Sequence, residues 1–129
     1  MKIEFLTTDD FVRSLKKLNK KYPSIIDDLE LFKDEFKQNP NVGDDLGNGY
    51  RKIRIKITSK GKGKRGGGRI ITYELFARAM EGGEGEKDIL LVDIYDKSTL
   101  ENMPEDVYTY TVEQYLKNKE AENTEQSGK

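Results

Sequence analysis

The chain has 129 residues, 34% of them hydrophobic and 36% charged, with no cysteine and no histidine. That composition allows one domain with a modest core under a heavily charged surface. It excludes thiolate and imidazole metal sites as well as Ser-His and Cys-His nucleophile pairs, leaving acid–base work to Asp, Glu, Lys and Tyr. No segment reaches the roughly 18 apolar residues of a membrane helix. The opening Met-Lys-Ile-Glu-Phe-Leu lacks the apolar run of a secretory signal, and the absence of cysteine fits a cytoplasmic location.

In chain order, residues 2–6 alternate enough for a short first strand. Thr7-Thr8-Asp9-Asp10 offers a hydroxyl cap and first-turn acids for a helix, whose apolar stripe is Phe11, Leu15, Leu18 and Tyr22. Pro23 separates it from a second helix. That one opens on Ser24 and Asp27 in the manner of a capping box, carries Ile25, Leu29, Phe32 and Phe36 on one face, and stops at Asn39-Pro40. Asn41 to Gly49 reads as a loop. Its Asp44-Asp45-Leu46-Gly47-Asn48-Gly49 part lacks the alternating ligands and terminal Glu of a calcium loop. Three strands are expected at 50–58, 69–77 and 88–96, the last apolar almost throughout and therefore interior. Residues 81–86 would close the final two strands as a hairpin. Asn102-Met103-Pro104-Glu105 starts a last helix with only a weak stripe. Residues 1–117 are read as one domain and 118–129 as a disordered polar tail. The order β-α-α-β-β-β-α predicts an α+β fold: an antiparallel sheet with the helical hairpin on one face and a C-terminal helix.

Charge is distributed unevenly along this framework. Residues 51–69 hold nine Lys and Arg and no acid, whereas the whole chain has 23 basic against 24 acidic residues. In the first half of the stretch Ile53, Ile55 and Ile57 alternate with Lys52, Arg54 and Lys56. A strand would bury the isoleucines under the helical hairpin and present the three cations on the other side, with Arg69 entering the neighbouring strand beside them. The second half, with Lys60, Lys62, Lys64 and Arg65 among glycines, is expected as a hairpin loop whose bare backbone can approach phosphates. Gly61 to Gly66 satisfies G-x-G-x-x-G, but a strand follows it instead of the helix that a dinucleotide site requires. Such segregation of charge points to a polyanionic ligand.

Leu46 to Ile55, Lys60 to Gly67, Arg69 to Tyr73 and Leu90 to Lys97 together resemble the bacterial RelE/HigB-type toxins of type II toxin–antitoxin systems. The likeness spans about residues 1–116 in element order. It implies a RelE-like fold and a toxin that enters the ribosomal A site and cuts the messenger RNA there without a metal or other cofactor. Cleavage in that family proceeds by attack of the ribose 2′-hydroxyl on the adjacent phosphate. It also implies an antitoxin partner, a small helix-turn-helix protein. The family's functional cations fall on Lys52, Arg54, Lys56, Arg69 and Lys97. The chain departs from well-studied relatives after the last strand, where it has Lys97-Ser98 instead of a Lys-Arg pair. The gyrase-poisoning ParE toxins share the fold, so two activities, RNA cutting and topoisomerase inhibition, stay open, as does RNA binding without catalysis.

Cleavage of this kind needs a base, donors for charge growing on the phosphate, and an acid for the 5′-oxygen. A lysine serving as base needs a pKa well below the ~10.4 of the free side chain, which crowded cations favour. Lys52 or Lys56 is the candidate base, Arg54 and Arg69 the phosphate clamp, and Lys97 or a nearby tyrosine the acid. Lys60, Lys62, Lys64 and Arg65 are candidates for RNA contacts, against a purely solubilising loop. Tyr73 and Tyr95 are weighed between stacking on a base and packing in the core with the hydroxyl at the rim. Glu74, Asp93 and Asp96 are expected to partner nearby cations more than to serve as acid–base groups.

Overall fold

The computed structural model describes residues 2–61, 67–79 and 85–127. They form an α+β fold with three α-helices and one five-stranded mixed sheet, in the strand order β1-β5-β4-β3-β2. The strands are β1 (Lys2–Thr7), β2 (Asp44–Gly47), β3 (Tyr50–Ile55), β4 (Gly68–Ala79) and β5 (Gly85–Asp96). The helices are α1 (Asp9–Lys21), α2 (Ile25–Gln38) and α3 (Glu105–Ser127), with a single 3-10 turn at Thr58–Lys60.

The sheet departs from the sequence expectation in two ways. It is mixed instead of antiparallel, because β1 pairs in parallel with β5, Lys2 opposite Glu86 through Thr7 opposite Leu91. It also has an extra edge strand, β2, in the stretch read as a loop. Asn48 (φ 55°) and Gly49 (φ 91°) both adopt the left-handed conformation. A two-residue mirror-image turn requires that conformation, and here it folds β2 back onto β3. Gly43 (φ 81°) is obligatory just before β2, since a Cβ there would lie 2.6 Å from the Lys52 carbonyl oxygen.

Each face of the sheet has its own core. Ile53, Ile55 and Ile57 pack with Ile70, Ile89, Leu91 and Ile94 beneath Phe11 of α1 and Ile25, Leu29, Phe32 and Phe36 of α2. The helical hairpin therefore covers the isoleucine face, as the period-two pattern requires. On the other face Ile71, Leu90, Val92 and Tyr95 pack against Tyr108 and Val112 of α3. Covered on both sides and paired with both β1 and β4, β5 is the interior strand its apolar run predicts.

The helix ends show how local chemistry is used. Thr8 caps α1, its hydroxyl accepting from Phe11 N–H at 2.9 Å and donating to the Val92 carbonyl at 2.7 Å. Ser24 makes no capping bond to α2. Its hydroxyl instead donates to Asp28 at 2.7 Å, and Asp28 accepts Thr58 N–H at 2.9 Å, fastening α2 to the 3-10 turn. The helix α3 continues to Ser127, through most of the segment expected to be a structureless tail. Among the described residues no helix is long and apolar enough to cross a membrane.

Candidate functional site

The α3 face of the sheet leaves β3 and the ends of β4 and β5 uncovered beyond Tyr50. A shallow cavity of about 170 Å³ opens there, lined by Asp44, Lys52, Arg54, Arg69, Lys97, Glu101 and Asn102. Pairing explains how residues so far apart in sequence converge. Asp44 on β2 lies opposite Lys52, Arg54 lies opposite Arg69, and Arg69 lies opposite Tyr95. The β5–α3 connection then passes over the strand ends and contributes Lys97, Glu101 and Asn102. Lys52 Nζ donates to Asn102 Oδ1 at 2.9 Å, which ties this connection to β3.

Four of the five cations expected at the site line this one cavity. Lys56 does not; it is exposed past the end of β3 and is not among the lining residues. Arg54 is exposed, whereas Arg69 is only 5% exposed, so Arg69 is a buried base of the cavity and not a surface cation. Its guanidinium donates to the Gly68 carbonyl at 3.0 Å. Burial, followed by the repulsion of Arg54, pulls the Arg69 pKa below the usual arginine value. Arginine nonetheless keeps its charge at neutral pH. Two guanidinium groups directly opposed on adjacent strands repel one another, and the cavity holds them beside two ammonium groups.

The residues expected to touch RNA fare differently. Lys62, Lys64 and Arg65 lie outside the described residues. Lys60 ends the 3-10 turn and is not a loop cation: its Nζ donates to Asp96 at 2.8 Å, with both side chains largely buried. Tyr73 is packed against Tyr50, ring centroids 4.6 Å apart, and Tyr50 against Tyr108 at 4.9 Å. Burial, with Tyr73 and Tyr108 alongside, pushes the Tyr50 hydroxyl up to about 12. Tyr95 is buried too; its hydroxyl accepts from Met103 N–H at 3.4 Å, and burial raises its pKa. Tyr73 and Tyr95 thus belong to the α3 core rather than to a stacking surface. Of the acids, Glu74 pairs with Lys87 at 2.9 Å and Asp96 with Lys60.

Asp96 organises the rim from the opposite side of the sheet. Its carboxylate accepts from Tyr22 Oη at 2.6 Å, Lys60 Nζ at 2.8 Å, and Ser98 N–H and Oγ at 3.0 and 2.8 Å. Burial alone would raise its pKa, but these donors outweigh it and hold the carboxyl well below the usual range. Lys97, the next residue, is fixed by its N–H to the Gly67 carbonyl at 3.3 Å.

Asp44, Glu101 and Asn102 were not foreseen. For Asp44 the only signal was Asn48-Gly49, a hairpin turn that places its partner strand; nothing in the sequence marks the other two. As an assembly, four cations and two carboxylates around a small open cavity can hold one phosphate and move a proton nearby. No family model matches this chain.

Proposed function

We propose that the protein is a ribosome-dependent mRNA endoribonuclease, the toxin of a RelE/HigB-type toxin–antitoxin pair acting in the cytoplasm with a small helix-turn-helix antitoxin. The observation that carries this reading is the convergence of Lys52, Arg54, Arg69 and Lys97 on one cavity. The sheet with a helical hairpin on one face and α3 on the other supports a RelE-like topology.

In this mechanism Arg54 and Arg69 bind the non-bridging oxygens of the scissile phosphate. Lys52, held by Asn102, first gives up a proton to solvent, and its neutral amine then accepts the 2′-hydroxyl proton as the 2′-oxygen attacks phosphorus. Lys97 protonates the departing 5′-oxygen, leaving a cyclic 2′,3′-phosphate. Preorganised donors of this kind typically contribute about 10²–10³ in rate each. Lys56 has no part, because it lies away from the cavity.

The test is primer extension on a translated message after induction. Codon-positioned cuts that disappear in Arg69→Met, which keeps most of the buried side-chain volume, support the reading. Uncut message, or double-strand breaks in DNA instead, would overturn it.

A further inference from the structure

Helix α1 carries a second cationic surface, on the opposite side of the sheet from the cavity. Arg13, Lys16, Lys17, Lys20 and Lys21 are all exposed and fall within an arc of about 140° at 100° per residue. Residues 11–26 contain no Asp or Glu. Among the described residues only Arg13 of the five has an ion pair, with Asp10, while Lys21 sits over the Tyr22 ring at 5.3 Å. The spacing makes Arg13–Lys17, Lys16–Lys20 and Lys17–Lys21 like-charge pairs four residues apart, each of which destabilises a helix. The helix dipole favours cations in the last turn, which accounts for Lys20 and Lys21 alone. Arg13 is accounted for by its pair with Asp10; Lys16 and Lys17 have no such structural reason.

We infer that this face of α1 docks on the phosphate backbone of an RNA duplex, apart from any strand held in the cavity. An anionic membrane fits poorly. A helix that binds lipid inserts its apolar face, and here Phe11, Leu15 and Leu18 are committed to the core under the sheet. A protein partner fits poorly as well, since the charged arc has no apolar centre for an anchor residue to fill. Nucleic-acid interfaces are polar and strongly positive. From Arg13 to Lys20 the helix rises about 10.5 Å, a length over which a duplex presents about six phosphate charges. Because Ile53 and Ile55 lie in the core under the helical hairpin while Lys52 and Arg54 point the other way, the two cationic surfaces address different segments of a folded RNA. The choice of RNA over DNA rests on the function proposed above; the phosphate docking itself does not.

The experiment is fluorescence anisotropy with the full chain and three probes: a 16-base-pair RNA duplex, the same duplex as DNA, and vesicles containing phosphatidylserine. The variant is Lys16→Glu with Lys17→Glu. Its new carboxylates stand four residues before Lys20 and Lys21, so the helix should be as stable as before or more so. The RNA duplex should bind the wild type with a salt-dependent affinity. The double variant should lose about tenfold or more, with a log–log salt slope shallower by about two. Arg69→Met should keep duplex binding. Unchanged affinity in the double variant, an equal loss in Arg69→Met, or tighter binding to DNA or vesicles than to the RNA duplex would each overturn the inference. If messages go uncut yet the RNA duplex is bound and then lost in the double variant, the docking surface stands and the nuclease reading alone fails.

Discussion

Arg54 faces Arg69 across the β3–β4 ladder, an arrangement that costs stability unless a ligand anion sits between the two groups. Replacing Arg54 with glutamine separates the two effects. Arg54 is exposed, so the change removes no core volume. Message cutting should fall by about 10²–10³, while the unfolding free energy should hold or rise by up to ~0.5 kcal/mol. Primer extension and urea denaturation of one preparation read both; a variant both unstable and inactive would make Arg54 a structural residue. The arginine and lysine side chains were legible because a period of two and a burial requirement leave little freedom: once Ile53 and Ile55 are inside, Lys52 and Arg54 must face away. Asp44, Glu101 and Asn102 were not, because β2 pairing and the path of the β5–α3 connection place them. The period-two pattern puts Arg69 beside Arg54, whereas its burial also depends on Tyr95 across the ladder and on the connection carrying Lys97, Glu101 and Asn102, which no local pattern encodes.

At the level of elements, the helical hairpin and the three long strands follow from apolar periodicity and caps, and they are found within a few residues of where the sequence puts them. β2 escaped because Asp44-Asp45-Leu46-Gly47 has poor strand propensity, although the Asn48-Gly49 turn that dictates it was in view. Ser24, expected as a capping-box residue, makes no capping bond because Asp28 and Ser59, the latter across 35 positions, engage its hydroxyl instead. The tie between elements with the largest expected consequence is Asp96, which joins α1 through Tyr22, the 3-10 turn through Lys60 and the cavity rim through Ser98. Its folded-state pKa is depressed. The stability it contributes is therefore fully present above the unfolded value of about 3.9 and is lost progressively as pH falls from there through the much lower folded-state value. Asp96→Asn should cost roughly 3 kcal/mol at pH 7, because a buried lysine loses its charged partner. The gap between variant and wild type should narrow below about pH 4. Asp93, whose pKa burial raises, acts with the opposite sign but in both proteins alike, so it cancels in the comparison. Urea midpoints at pH 7 and pH 2.5 decide it, and a constant gap would contradict the depressed pKa.

Across the whole molecule, a net charge of −1 divides into a basic stretch and an acidic remainder, and the fold then mixes the two at the cavity by bringing Asp44 and Glu101 beside the four cations. If the cavity holds RNA as proposed, that mixing sets its affinity for a single strand. Four phosphate contacts imply a log–log salt slope of about −3 for a single strand. Contacts from Lys62, Lys64 and Arg65 would each steepen it by about 0.7. The carboxylates oppose the ligand, since a phosphate within several ångströms of an ionised Glu101 meets a like charge in a medium less polar than water. Glu101→Gln should therefore tighten single-strand binding about three- to tenfold. It should leave the salt slope nearly unchanged, because the number of neutralised phosphates stays the same. Titration of a labelled, uncleavable oligonucleotide between 50 and 200 mM salt measures both quantities. Weaker binding in that variant would mean that Glu101 holds one of the cations in place. A flat salt response in the wild type would remove the phosphate from the cavity altogether.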